Sequence, residues 1–370
     1  MAQARRPQLP ALTSVRFFAA FAVILYHLTV TRLLPWPKAV GSQGFIGVSF
    51  FFVLSGFILV YSHADLPFDT RRFFRLRFAR IYPAFAFSLV VALPLLLSMA
   101  QNPVMFTWAT AHIKLTTVAS IFLLQAWIPL FALAWNGVAW SLSVEAFFYC
   151  LFPIILKRLS RCGVSELFGI VIACWLFELA IVTVYLVLRP DGPLALQDSP
   201  IPYFWKAVLK FNPGVHLPEF VAGMGCGLIF IRRKLRVSRA LLVSAGITAV
   251  ALVIYFQDRI PYLLIHTGLL IPAFAAIIVG LALPHGKTGW WLDHRFLVAL
   301  GNASYSLYLL HFTVIIYIFL IHRMPFNFYT GTAYACGIVI ASLLVFRFIE
   351  EPTRRWLSPR GKVAAVSLTA

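Results

Sequence analysis

The chain has 370 residues, 61% of them hydrophobic and only 12% charged, and its mean hydropathy is +0.88. Soluble domains are far less apolar, so the composition excludes one and predicts an all-α, polytopic membrane bundle forming a single domain over 1–370. The net charge of +19 would fit a nucleic-acid partner in a soluble protein. Here the basic residues cluster in short loops, as the positive-inside bias of membrane proteins dictates, and no nucleic-acid partner is expected.

Apolar runs predict ten spans, roughly 11–31, 45–62, 81–99, 141–157, 165–188, 215–231, 240–256, 263–283, 297–320 and 329–349. Strand-sized alternating segments are absent, which excludes a barrel. The first run lacks a small-residue cleavage site and continues as a full span, so it reads as a helix and not a cleaved signal. The stretch 115–136 is apolar too. Counted as a span, it would send KRLSR at 157–161 and RRKLRVSR at 232–239 outside. Read as an outer-face or re-entrant segment, it leaves every basic run on one side, with both termini and loop 63–80 cytoplasmic and loop 189–214 outside. Pro129 and the broken WNGVAW at 135–140 also weaken a continuous helix there. The five cysteines show neither metal spacing nor a disulfide framework, and no metal is expected.

Along the chain, polar residues interrupt the apolar runs at a few places. In the first span Arg16 and His27 are eleven residues apart. Eleven steps of 100° return a helix to within about 20° of the same face, about 16 Å further along. A charged guanidinium and a titratable imidazole thus share one stripe inside the membrane, where ionisable groups are costly and usually have a use. Taken singly, Arg16 could snorkel to the headgroups and His27 could sit at the outer rim. In GFIGVSFFFVLSGFIL at 44–59, Ser55 precedes Gly56 mid-span without a nucleophile elbow, which favours close packing. The run RRFFRLRFARIYP at 71–83 sets five arginines among aromatic residues, with Arg77 and Arg80 three apart and hence on one helical face. Two guanidinium forks on one face suit phosphate oxygens; the alternative is ordinary positive-inside anchoring.

Further on, WSLSVEAFFY at 140–149 places Glu145 about five residues into a span that starts at the outer face. That is a depth similar to His27, and a carboxylate beside an imidazole makes a general base. Pairing of Glu145 with a basic group for packing is the alternative. Glu219, in HLPEFVAGMG, is expected near the outer mouth, where it could take acceptor hydroxyls. Gly223 and Gly227 suit close helix packing. Glu178 is mid-membrane with no assigned role. Tyr305, Tyr308 and His311 drift around one helix face, and His311 lies near the depth of His27. His311 either lines an acceptor path or, the favoured reading, is an interior histidine with a backbone partner.

Together these stretches resemble the membrane-bound acyltransferase type 3 family of bacteria. The matching pieces are Arg16 with His27, FFFVLSGFIL, FRLRFARIYP with Arg77 and Arg80, WSLSVEAFFY, LPEFVAGMGCG and NASYSLYLLHF, in the family's order from residue 12 to 312. The resemblance implies transfer of an acyl group, commonly acetyl from acetyl-CoA, to sugars of the envelope or of exported metabolites. It implies that His27 is the essential histidine, supported by Arg16 and Glu145. It also implies acyl-CoA contacts for Arg77 and Arg80, with Arg75 in the same run. Glu219, His311 and Tyr305 are the candidates on the saccharide side. The expected setting is the bacterial inner membrane. A transporter or flippase using the same interior charges is the main rival, though no inverted repeat is visible. A non-catalytic scaffold would not need Arg16, His27 and Glu145 inside the bilayer.

Overall fold

The computed structural model describes residues 6–33, 41–101, 107–196, 203–234, 237–284, 291–321 and 327–357, and is all-α, with no strand among them. Loop residues 197–202, Lys287 and the basic tail beyond 357 lie outside the described residues. The principal helices are α1 (Pro10–Val30), α2 (Ile46–His63), α3 (Thr70–Val91), α4 (Trp140–Leu159), α5 (Val164–Leu188), α6 (Leu217–Arg232), α7 (Arg239–Tyr255), α8 (Ile271–Ala282), α9 (Ser304–Ile321), α10 (Phe328–Val345) and α11 (Glu351–Leu357). Among the described residues, six helical segments are long and apolar enough to cross a membrane: 10–30, 46–63, 164–188, 262–282, 304–321 and 328–357. Four of the ten expected spans correspond to α3, α4, α6 and α7, which do not meet both criteria. The arginine run polarises α3, and α6 and α7 are 16 and 17 residues long. The chain is a multi-pass membrane protein. The outward face of α5 leaves Ile172, Leu176, Phe177 and Val184 more than half exposed, as a lipid-facing helix must.

Local chemistry sets the helix ends. Pro10 opens α1, where its missing N–H costs nothing. Asp69 caps α3 by accepting from the Arg72 amide at 3.0 Å. Asn327 and Thr330 form a reciprocal cap on α10. Arg6 donates to the carbonyls of Tyr61 and Ala64 at the end of α2, at 2.7 and 2.9 Å, and to Asp65. That guanidinium satisfies the orphan carbonyls and ties the chain's N-terminal segment to the second helix.

Glycines let the helices around the site touch backbone to backbone. A Cβ on Gly56 would stand 2.1 Å from the Phe220 carbonyl oxygen, and one on Gly223 would stand 2.0 Å from that of Val53. α2 and α6 therefore meet through reciprocal glycine contacts, as expected of Gly223. Gly44 and Gly47 bring the start of α2 equally close to Ala22 and Ala19 of α1. These approaches fix α1, α2 and α6 as one unit around which α3, α4 and α9 are set.

The stretch 115–136 does not form a continuous helix. It breaks into a helix Ile113–Ile121 and short 3-10 turns at Gln125–Trp127 and Pro129–Phe131. Leu123 and Trp135 take positive φ of 58° and 63°, and Pro129 cannot extend the preceding turn. Freed backbone is met from the side chains: Trp135 Nε1 donates to the Leu89 carbonyl at 2.9 Å, and Gln125 Nε2 donates to that of Ala139 at 2.9 Å. Buried Asn136 bridges Ser88 and the Leu309 carbonyl, both at 3.1 Å. The segment is thereby folded over the start of α4, whose residues Trp140–Val144 are all buried.

Candidate active site

A cavity lies among α1, α2, α3, α4 and α9, with about 910 Å³ of free space when the part open to solvent is counted. Its polar lining includes Arg16 from α1, Ser55 from α2, Arg77 and Arg80 from α3, and Ser141, Glu145 and Tyr149 from α4. Ser304, Tyr305 and Tyr308 complete it from α9. The i, i+3 spacing of Arg77 and Arg80 does put both on one face, as expected. Arg75, on the opposite side of α3, is exposed and does not line the cavity, which corrects its grouping with the other two.

Three guanidinium groups thus meet one carboxylate in the lining. Arg16 and Arg80 make no hydrogen bond or ion pair among the described residues, and Nε of buried Arg77 has no partner. The Arg77 guanidinium lies near the rings of Phe73 and Tyr149, 5.7 Å from each centroid, and its Nε is left without a hydrogen-bond partner. Glu145 is engaged by the Tyr149 hydroxyl, which donates to it one turn along the same helix. Unpartnered buried donors of one sign are costly unless something anionic meets them. The lining therefore carries more guanidinium donors than its one carboxylate, Glu145, among the described residues can take.

Glu145 is not the partner of His27. No hydrogen bond joins them; Glu145 sits with the arginines, and His27 meets His311 instead. The expected pairing fails because Glu145 faces the cavity with Arg77 and Arg80, whereas His27 lies outside that lining against His311.

The two histidines stand one turn beyond Tyr308, outside the cavity lining. His311 Nε2 lies 3.1 Å from His27 Nδ1, which is also 3.0 Å from the Val23 carbonyl. His311 is wholly buried, and its Nδ1 is 2.7 Å from the Tyr308 carbonyl. The backbone partner expected for His311 is present, and the second imidazole comes in addition. Tyr308 is itself pinned: its hydroxyl accepts from Ser141 at 2.8 Å and donates to the Val138 carbonyl at 3.1 Å. Tyr26 and Phe312 pack against His27, with ring centroids at 5.0 and 4.9 Å.

Glu219 does not stand at an open outer mouth. It is fully buried and holds two partners, the Ser49 hydroxyl and His216 Nδ1, the latter at 2.9 Å. Tyr305 does line the cavity, and its hydroxyl donates to the Ile81 carbonyl at 2.8 Å. Ser55, read from sequence as a packing residue, lines the cavity while its neighbour Gly56 makes the close contact. Two acidic or phenolic groups escaped the sequence reading. Tyr149 could have been found from its i+4 spacing to Glu145. Glu350, buried in a π-helical turn Phe346–Glu350 and hydrogen-bonded by Ser306, acts electrostatically on Arg80 and Arg16. Nothing in the local sequence marks it except a carboxylate at the end of an apolar run.

An acyltransferase domain matches residues 9–347 of the chain. The chain belongs to that family. It is similar to acyltransferase MdmB of Streptomyces mycarofaciens, at 30% identity over 96% of this chain and 94% of the relative. It is also similar to O-acetyltransferase OatA of Staphylococcus aureus, at 26% identity over 94% of this chain and 57% of the relative. A putative peptidoglycan O-acetyltransferase, YrhL of Bacillus subtilis, is 26% identical over 94% of this chain and 55% of its own length. The chain spans a little over half of these last two relatives and nearly all of the first. No solved structure matches. This acyltransferase is therefore a membrane enzyme that transfers acyl groups, which sets aside the transporter and scaffold readings.

Proposed function

We propose that this acyltransferase moves an acyl group, with acetyl the first choice, from cytoplasmic acyl-CoA to a hydroxyl of a cell-envelope or exported saccharide, at the bacterial inner membrane. The observation that carries the donor assignment is the excess of unpartnered guanidinium in one interior cavity. CoA bears a pyrophosphate and a 3′-phosphate, and Arg77, Arg80 and Arg16 offer the forks that such oxygens take. Arg77, buried beside Phe73 and Tyr149, has few orientations open to its fork, which lowers the cost of ordering it on binding. An oxygen acceptor is supported by the names of the O-acetyltransferase relatives, and a saccharide one by the peptidoglycan in the name of the Bacillus subtilis relative. His27, one turn beyond the Tyr308 end of the cavity, is the general base in this reading. It takes the proton of the acceptor hydroxyl as that oxygen bonds to the thioester carbonyl, and returns a proton to the departing thiolate. Arg16, three turns away on the same face of α1, holds the donor so that the thioester end reaches His27.

Purified enzyme in liposomes tests the reading. Acetyl-CoA labelled in the acetyl group is supplied on the arginine side, with mono- and oligosaccharide acceptors on the other. Base-labile label on the sugar, absent from empty liposomes, is the expected result. Label that remains on CoA with every saccharide, in a preparation that binds acetyl-CoA, would overturn the acceptor assignment. Failure to bind acetyl-CoA at all would overturn the donor assignment.

A further inference from the structure

We infer that His311 is a positioning residue for His27, accepting its Nδ1–H and so making Nε2 the basic nitrogen of that imidazole. This rests on the reading of His27 as general base. The hydrogen bonds leave one consistent arrangement of protons. The Tyr308 carbonyl can only accept, so His311 Nδ1, 2.7 Å away, carries a hydrogen. The Val23 carbonyl can only accept, so His27 Nδ1, 3.0 Å away, carries one too. The remaining contact joins His27 Nδ1 to His311 Nε2 at 3.1 Å. With a hydrogen already on the His27 side, His311 Nε2 must present its lone pair; a second hydrogen there would face the first across 3.1 Å. His311 is thus held neutral in its Nδ1–H tautomer, and His27 donates from Nδ1 to two acceptors at once. Nε2 of His27 is left without a hydrogen-bond partner among the described residues.

This assignment sets the direction of the chemistry. In the transfer the acceptor O–H bond breaks and its proton adds to His27 Nε2 while the acceptor oxygen bonds to the thioester carbonyl. The carbon–sulfur bond then breaks, and the thiolate takes that proton from Nε2, leaving ester and thiol. The Nδ1–H bonds to Val23 and His311 stay in place throughout, and they stabilise the imidazolium by the charge they accept from. In a serine-hydrolase triad a carboxylate fills the corresponding place. A neutral imidazole does so here without a buried second charge, whose desolvation would be expensive in a membrane interior. His311 is fully buried and lies off the cavity lining, so it acts on the reaction through His27 and not on substrate. The Ser141–Tyr308 bond in turn fixes the turn of α9 from which His311 projects.

The test compares His311→Gln, which keeps an acceptor near the same place, with His311→Leu, which keeps bulk and removes it. His27→Ala is the control, and all are assayed for acetyl transfer from acetyl-CoA. His311→Leu is expected to lower kcat by about 100-fold or more, by analogy with loss of the correct tautomer in a triad, with the acetyl-CoA KM within about twofold of wild type. His311→Gln is expected to retain at least about tenfold more activity than His311→Leu. Equal loss in both variants, or full activity in His311→Leu, would overturn the inference. Activity in His27→Ala would instead overturn the reading on which it rests. If His311→Leu does not fold, nitrogen-15 NMR of imidazole-labelled wild type decides: Nδ1 of His27 is expected to be the protonated nitrogen, and a protonated Nε2 in the neutral ring would overturn the assignment.

Discussion

The clearest quantitative consequence concerns two arginines on the same helix, two residues apart. Arg77 is buried, lines the cavity and lies beside the Phe73 and Tyr149 rings; Arg75 is exposed and does not line it. Lysine at 77 keeps the charge but loses the planar fork and most of the stacking. A charge-assisted hydrogen bond is worth about 1.5–3 kcal/mol, and a desolvated cation–ring contact about 2 kcal/mol. If roughly half of this loss falls on donor binding, acetyl-CoA affinity drops by about 1.8–2.5 kcal/mol, or about 20- to 70-fold. Titration calorimetry on purified protein, backed by the apparent KM for acetyl-CoA, measures it. Arg75→Ala should leave both within about twofold, and the acceptor KM should stay put in either variant. Unchanged acetyl-CoA affinity in Arg77→Lys, or an equal loss in Arg75→Ala, would refute the assignment of the cavity to the donor phosphates.

Other consequences are independent of that one. Glu145→Gln removes the only carboxylate among the described residues of the cavity lining but not a partner of His27. The pH dependence of kcat should therefore keep its wild-type shape while the acetyl-CoA KM moves, and a displaced acidic limb would restore Glu145 as the partner of His27. Gly223→Ala places a Cβ 2.0 Å from the Val53 carbonyl, so α2 and α6 must part, at a cost of at least about 1–3 kcal/mol. Gly169→Ala, with nothing within 4 Å of its Cβ, serves as the control; equal melting temperatures for the two in detergent would contradict the backbone contact. For topology, cysteines at exposed Pro193 and Thr70 in a background lacking the native cysteines should label from outside and inside respectively, and the reverse would invert the orientation.

Much of the site was legible because helical periodicity acts within one element. The i, i+3 relation of Arg77 and Arg80 needs only α3, and the stripe bearing Arg16 and His27 needs only α1. The close approach at Gly223 was legible because a residue without a side chain inside a span has few other uses. What crosses between helices was not. Whether Glu145 meets His27 depends on how α4 packs against α1 and α9, and the fold of 113–139 ahead of it has positive-φ breaks at Leu123 and Trp135 that carry no glycine to announce them. The partner that His27 does have, His311, is 284 residues away in sequence. Glu219 looked like a mouth residue because its helix starts there, but Ser49 and His216 close over it. Separating Arg75 from Arg77 and Arg80 required the bundle, which decides which face of an arginine-rich helix is turned inward.

The central claim is that the arginine cavity holds the donor while His27 does the chemistry. Both halves can be read from one preparation of His27→Ala, by measuring acetyl-CoA binding and labelled acetyl transfer side by side. Binding within about twofold of wild type, together with transfer reduced to the level of empty liposomes, is the expected result. Transfer at the wild-type rate would remove His27 from the mechanism, and loss of acetyl-CoA binding would mean that His27 belongs to the donor site and not to the reacting centre.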